Sequence, residues 1–293
     1  MKRISDNVRC LGNRHFNFFV VGKTEAAVIE CGVTGAVINF RQQWEEMFPK
    51  PKIRYLVGMH AHYDHICGIP SLRKLFPGAA VAASAQAQKV MARPRILAGF
   101  FQQDARTVEV LLNEGYLSEP VAVPEVERIE VDYLLSDGEV FNLGDGIKLE
   151  IIAAPGHSPC SLAAYLAGDQ VMFLSDAGGF QISDTEIFPI FFQGYDLYME
   201  TIKRLMGYPT AVLGIPHERI WTGEGVRSFY RRALHAAEEA FVHIRGLTEA
   251  GVAGEEIREI LFTHYYRGNL RIYTQENIRT CIDLLVRRVQ ECL

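Results

Sequence analysis

No uninterrupted run of 18 apolar residues occurs in this 293-residue chain, so nothing in it can span a bilayer as a helix and no membrane partner is expected. The N-terminus, M-K-R-I-S-D-N-V-R-C, lacks the apolar stretch of a signal peptide. Export is therefore not expected, and a cytoplasmic location is the expectation. Cysteine is sparse. Cys10, Cys31, Cys67, Cys160, Cys281 and Cys292 form no C-x-x-C pair and no framework spacing, which argues against a disulfide scaffold and for reduced thiols. Basic excess is missing as well: a net charge of −5 provides no positive field for a polyanion, so nucleic acid is not an expected partner. Arg227, Arg231 and Arg232 cluster, but Glu238 and Glu239 follow on the same segment, as on a solvated helix face. No G-x-S-x-G elbow and no Walker-type loop is present, which removes serine hydrolysis and nucleotide phosphate transfer from the leading readings.

What the chain does have is a local excess of histidine. Residues 60–65 read H-A-H-Y-D-H, directly after the apolar run 53–57. Three of the nine histidines thus fall within six positions, and packing offers no reason to crowd polar rings together. Neutral imidazole and carboxylate are the ligands that borderline and hard divalent cations take. Three further candidates stand elsewhere: His157 in A-P-G-H-S, Asp176 at the end of V-M-F-L-S-D, and His217 at the end of A-V-L-G-I-P-H. Each lies where an apolar, strand-like run gives out into a loop, the usual place for a rigid scaffold to present reactive groups. Asp176 alone would read as a turn or cap residue; the shared placement is what gives the set its force. Cys67 and Cys160 lie nearby in sequence but read as small buried hydrophobes. His15, His235 and His243 have no partners nearby in sequence and are assigned no role.

H-x-H-x-D-H followed by a distant His, an Asp and a last His resembles the metallo-β-lactamase superfamily, over about the first 225 residues. The resemblance implies that His60, His62 and His157 hold one divalent metal ion and that Asp64, His65 and His217 hold a second, with Asp176 bridging. Zinc is the first expectation for the two ions, with iron or manganese as alternatives. Keeping both the second-site histidine and the bridging aspartate resembles glyoxalase II and related thioesterases more than the lactam-cleaving enzymes. A helical insert after Ser84, a long helical tail, and Glu30 in V-I-E-C-G where most of the family has Asp resemble the quinolone-signal response thioesterase branch. Three positions depart from the usual pattern. Ser175 stands where Gly is usual, Cys160 and Ser161 replace Gly-His, and Pro216 precedes His217.

The periodicities predict a hairpin over 17–31, a helix over 36–48, a strand over 53–57, a short helix over 71–76 and a strand over 79–83. Residues 84–117 read helical, capped by Ser84, broken at Arg93-Pro94, and with Phe101, Ala105, Val108 and Leu112 as the apolar stripe. Strands follow over 133–135, 139–142, 147–154, 162–166 and 171–174, and their near-continuous apolar character implies burial on both faces. The fold class is therefore α/β, and the resemblance implies a four-layer αββα sandwich. A catalytic domain would span 1–224, with the insert at about 84–117, and a C-terminal helical extension 225–293. Two amphipathic tail helices are expected to form a lid or pocket wall, with pairing of two subunits in a homodimer as another use. The aromatic-dense stretch 188–198 reads equally as core packing or as an apolar cleft, and residues 264–267 as a surface turn.

Two cations about 3.5 to 4 Å apart lower the pKa of a shared water toward 7. Asp64 is then the catalytic residue, a ligand that also orients the bridging hydroxide. The expected activity is metal-dependent hydrolysis of a small ester-like substrate, thioester favoured because thiolate leaves readily. The alternatives are a phosphodiesterase of the same fold, a mononuclear iron persulfide dioxygenase, and a regulatory binding protein that keeps the site as a relic.

Overall fold

The computed structural model describes all residues 1–293. In chain order the elements are β1 (Lys2–Arg3), β2 (Val8–Gly12), β3 (Asn17–Gly22), β4 (Glu25–Ile29), α1 (Thr34–Glu46), β5 (Lys52–Gly58), α2 (Tyr63–Ile66), α3 (Ile69–Leu75), β6 (Ala80–Ser84), α4 (Ala85–Met91), α5 (Pro94–Asn113), β7 (Tyr133–Leu135), β8 (Val140–Asn142) and β9 (Lys148–Ala153). They continue as β10 (Leu162–Leu166), β11 (Val171–Phe173), β12 (Phe180–Gln181), β13 (Ile187–Phe188), α6 (Tyr195–Met206), β14 (Val212–Gly214), β15 (Trp221–Thr222), α7 (Glu224–Glu249), α8 (Gly254–Tyr265) and α9 (Gln275–Gln290). One sheet runs β1 to β7 in order, and the other runs β15-β14-β11-β10-β9-β8.

Side-chain alternation explains why these strands stack as a sandwich. On β3, Phe19 and Val21 join Phe141, Leu149, Ile151 and Phe173 of the other sheet in a core between the two sheets. Phe18 and Val20 point the other way and join the helical layer, where Phe18 meets Phe40 of α1 at 5.3 Å between ring centroids. The second sheet repeats the pattern: Leu162 and Ala164 face inward, while Ala163 and Tyr165 face outward among the helices. Four layers result, helices outside and sheets inside, as the apolar strands imply. Burial on both faces holds for β10 and β11. It fails for β7 and β8, where Tyr133, Leu134 and Val140 are exposed, because these short strands end their sheets.

The insert divides as its proline requires. Ser84 Oγ accepts from Ala87 N at 3.2 Å and caps α4, and Pro94 opens α5. The buried stripe of α5 is Leu97, Phe101, Asp104, Thr107, Val108 and Leu111, so Ala105 and Leu112 are not its centre. Asp104 is the reason for the shift: its carboxylate accepts from Thr34 N (3.0 Å) and Thr34 Oγ (2.6 Å), holding the first turn of α1. Three helices rather than two form the tail, since α8 intervenes with a narrow buried face of Ile257, Leu261 and Tyr265. Tyr265 is accordingly not on a surface turn; its ring packs on Phe188 at 4.9 Å.

Candidate metal centre

Strand direction brings the candidate ligands to one rim. β4, β5 and β6 run parallel, β9 and β11 are both antiparallel to β10, and β14 is parallel to β11. The C-terminal ends of β5, β9, β11 and β14 therefore share one end of the sandwich. His60 and His62 lie in the loop after β5, and Asp64 and His65 in the helical turn that follows it. His157 follows β9, Asp176 sits in the 3-10 turn Ser175–Gly178 after β11, and His217 follows β14. Two glycines make the close approaches possible. A Cβ on Gly68 would lie 2.0 Å from the Cys31 carbonyl oxygen, and one on Gly156, at φ +117, would lie 2.3 Å from the Tyr198 Cα.

All seven candidates come together, in two sets. His60, His62, His157 and Asp176 form one, and Asp64, His65 and His217 the other, each with one ligand atom per residue within 4.8 Å of the rest. One oxygen joins them: Asp176 Oδ2 lies 3.3 Å from His157 Nε2 and 3.3 Å from His65 Nε2. Its other oxygen is 3.6 Å from His217 Nε2. Asp64 Oδ2 is 3.7 Å from His65 Nε2 and 3.5 Å from His217 Nε2. No cysteine enters either set; Cys67 is buried in the core, and Cys160 Sγ accepts from Ala61 N at 3.4 Å.

The surrounding groups fix which nitrogen faces the centre. His157 Nδ1 donates to the Ile190 carbonyl and His217 Nδ1 to the His15 carbonyl, both at 2.9 Å. His65 Nδ1 donates to Glu30 at 2.7 Å. A neutral ring, the form that ligates a metal, has one N–H, so with Nδ1 donating it would leave Nε2 as a lone pair. The Nε2 atoms of His65 and His217 stand 3.3 Å apart, and two lone pairs repel unless a cation lies between or beside them. Burial keeps His60 and His157 neutral and pushes His62 down to about 3. At His65 burial also opposes charge, but Asp176, Glu30 and Asp64 outweigh it and raise its pKa well above the ordinary value. The pocket thus draws positive charge to its centre, a proton or a metal. Five imidazoles and two carboxylates, oriented by acceptors behind them, suit borderline divalent cations.

Several contributors were invisible in the sequence. Tyr273 OH donates to Asp64 Oδ2 at 2.7 Å from 209 positions away. His15 is buried and bonded to Glu218 Oε1 at 2.5 Å, and its backbone orients His217. Ser175 Oγ sits 3.2 Å from His60 Nδ1. A cavity of about 180 Å³ opens on His62, Asp64, His157 and Asp176. Phe100 and Gln103 of α5, Asn277, Ile278, Cys281 and Leu284 of α9, and Phe188, Ile190 and Phe192 line it, with no lysine or arginine among the lining residues. The aromatic stretch 188–198 serves both readings, since Phe191 and Tyr198 are fully buried in the core. Gln103 Oε1 accepts from Asn277 Nδ2 at 2.8 Å, tying the insert to α9 beside the cavity.

An αββα sandwich with a histidine and aspartate cluster at one rim defines a metal-binding class of protein. Residues 12–217 match the metallo-beta-lactamase superfamily, and the chain belongs to it. It is 23% identical to the metallo-beta-lactamase fold-containing protein ST1585 of Sulfurisphaera tokodaii, over 83% of this chain and 85% of that protein. A shorter similarity, 24% identity over 42% of this chain and 37% of the relative, is to glyoxylase B2 of Dictyostelium discoideum. The crystal structure of ST1585 superposes with a TM-score of 0.58 at 20% identity, covering 97% of this chain and 98% of that one. BJP-1, a subclass B3 metallo-beta-lactamase of Bradyrhizobium japonicum, gives 0.60 at 18% identity over 85% and 95%. At such identities the structural likeness speaks for the fold. No helix of the chain is long and apolar enough to cross a membrane.

Proposed function

We propose that the protein is a dinuclear metal-dependent hydrolase of small, uncharged esters, thioesters first. The observation that carries this reading is the shared position of Asp176 Oδ2, 3.3 Å from a histidine of each set, which joins the seven candidate ligands in one rim. When bound there, divalent cations would acidify a water and polarise the scissile carbonyl. The chain supplies the rest. Asp64 and Asp176 would hold the cations and orient the attacking water, while Phe188, Ile190 and Phe192 would bind the acyl or aryl group and keep bulk solvent out. The absence of lysine and arginine from the cavity wall favours a neutral group over a phosphodiester, whose charge a small apolar cavity would have to desolvate. A second complete ligand set supports two ions over a mononuclear oxygenase.

The test combines elemental analysis of the purified protein with a panel of acyl thioesters, acyl esters and aryl phosphodiesters. Two metal equivalents per chain and preferential thioester turnover are expected. Asp176→Ala should lower kcat/KM by at least about 100-fold, several kcal/mol of transition-state stabilisation. One equivalent per chain, or phosphodiester turnover alone, would refute the reading.

A further inference from the structure

The C-terminal segment does more than wall the cavity, because it places a phenol on a residue of the ligand cluster. Tyr273 stands between the 3-10 turn Gly268–Ile272 and α9. Its hydroxyl donates at 2.7 Å to Asp64 Oδ2, the oxygen that faces His65 Nε2 and His217 Nε2. A carboxylate oxygen has two lone pairs, so it can accept this bond and still face a cation. The ring that carries the hydroxyl is held on several sides. Its centroid is 5.3 Å from Phe180 and 6.4 Å from Tyr63, and the side chain is buried. Thr274 Oγ, the next residue, accepts from Asn277 N at 3.2 Å and starts α9. Asn277 in turn bonds Gln103, so the phenol has little freedom to swing away.

We infer that Tyr273 is a positioning residue for the second half of the metal centre: it fixes the Asp64 carboxylate so that Asp64, His65 and His217 can hold their cation, and it makes that half dependent on the C-terminal segment. The inference rests on the two-cation reading above but not on the choice of substrate. Partners that orient a ligand commonly contribute 10- to 100-fold in metal affinity or activity.

Zinc titration of the metal-free full-length protein against a chromophoric chelator tests it. Tyr273→Phe removes one oxygen and keeps the packed ring. The affinity for the second zinc equivalent should fall about 10-fold or more while the first is unchanged. Tyr165→Phe, which loses a buried phenol bonded to the Pro209 carbonyl at 2.5 Å on the outer face of β10, should leave both equivalents unchanged. Where turnover is measurable, Tyr273→Phe should lower kcat with little change in KM. An unaltered second affinity in a folded Tyr273→Phe protein would overturn the assignment. So would a crystal structure of the zinc-loaded wild type with the phenol oxygen more than 3.5 Å from Asp64, a measurement that needs no variant. Failure of every substrate in the hydrolysis panel leaves the zinc titration to decide alone.

Discussion

Glu30 stands at the end of β4 with φ +67 and puts Oε2 2.7 Å from His65 Nδ1. A left-handed backbone is uncommon for a residue with a side chain; here it turns the carboxylate under the ring so that Nε2 points at the shared centre. Glycine would relax that backbone and lose the carboxylate, which separates the two roles. Glu30→Gly should therefore fold but lose about 10- to 100-fold in affinity for the second cation. Glu30→Gln keeps an acceptor without the charge and should fall between. Chelator competition reads both, and a Glu30→Gly protein with wild-type affinity would show that the carboxylate is idle.

The same separation applies to Ser175, also left-handed at φ +49. The resemblance puts Gly at this position in most of the family, and the dihedral angle explains why: only glycine adopts it without strain. Serine there gains a hydroxyl 3.2 Å from His60 Nδ1. Ser175→Gly should leave stability within about 1 kcal/mol, since relief of backbone strain offsets a lost hydrogen bond. Affinity for the first cation, the one beside His60, should drop several-fold. Thermal unfolding and zinc titration together check the pair of outcomes.

Asp104 predicts a pH dependence carried by a carboxyl outside the candidate ligand set. Burial pushes its carboxyl from 3.8 up to about 6, although Thr34 donates to both oxygens and pulls the other way. A carboxyl raised on folding binds its proton more tightly in the native state. Its contribution is therefore fully present below about pH 4 and lost as pH rises to about 6. Relative to Asp104→Asn, wild type should lose up to about 3 kcal/mol across that window, at about 1.4 kcal/mol per pKa unit. Above pH 7 the difference should be flat. Urea unfolding of both proteins from pH 4 to 8 measures it, and parallel curves would show that Asp104 titrates normally. Asp104→Ala, which strands the buried Thr34 N–H, should cost about 1 to 3 kcal/mol at about pH 4, and less as pH rises through about 6 and the wild type loses its own contribution.

The sequence was most legible where a strand ends in a chemical group. Apolar runs before His60, His157, Asp176 and His217 gave both the strands and the rim, and Ser84 and Pro94 marked the insert because caps and prolines act locally. It was least legible where burial is partial. In β2 Arg9 interrupts the buried positions, and α8 buries only Ile257, Leu261 and Tyr265 of its twelve residues, too few to outline a face. Asp104 was not singled out in the insert because its partner, Thr34, lies 70 residues earlier. Tyr273 had no pattern to betray it; its role is set by a contact between segments that local spacing cannot encode.

The cavity wall provides a test of substrate size that leaves the metal ligands alone. Leu284 lies on α9, half-buried at the cavity, so a larger side chain there can extend inward without displacing a fully packed core residue. Leu284→Trp should fill much of a space of about 180 Å³. Short acyl thioesters should still be turned over, while longer or aromatic acyl chains should show KM raised about 10-fold or more, the worth of one or two displaced methylene contacts. Zinc content should stay at the wild-type value, because no ligand is touched. If instead all chain lengths slow equally, the acyl group does not enter this cavity, and the apolar wall of Phe188, Ile190 and Phe192 serves packing alone.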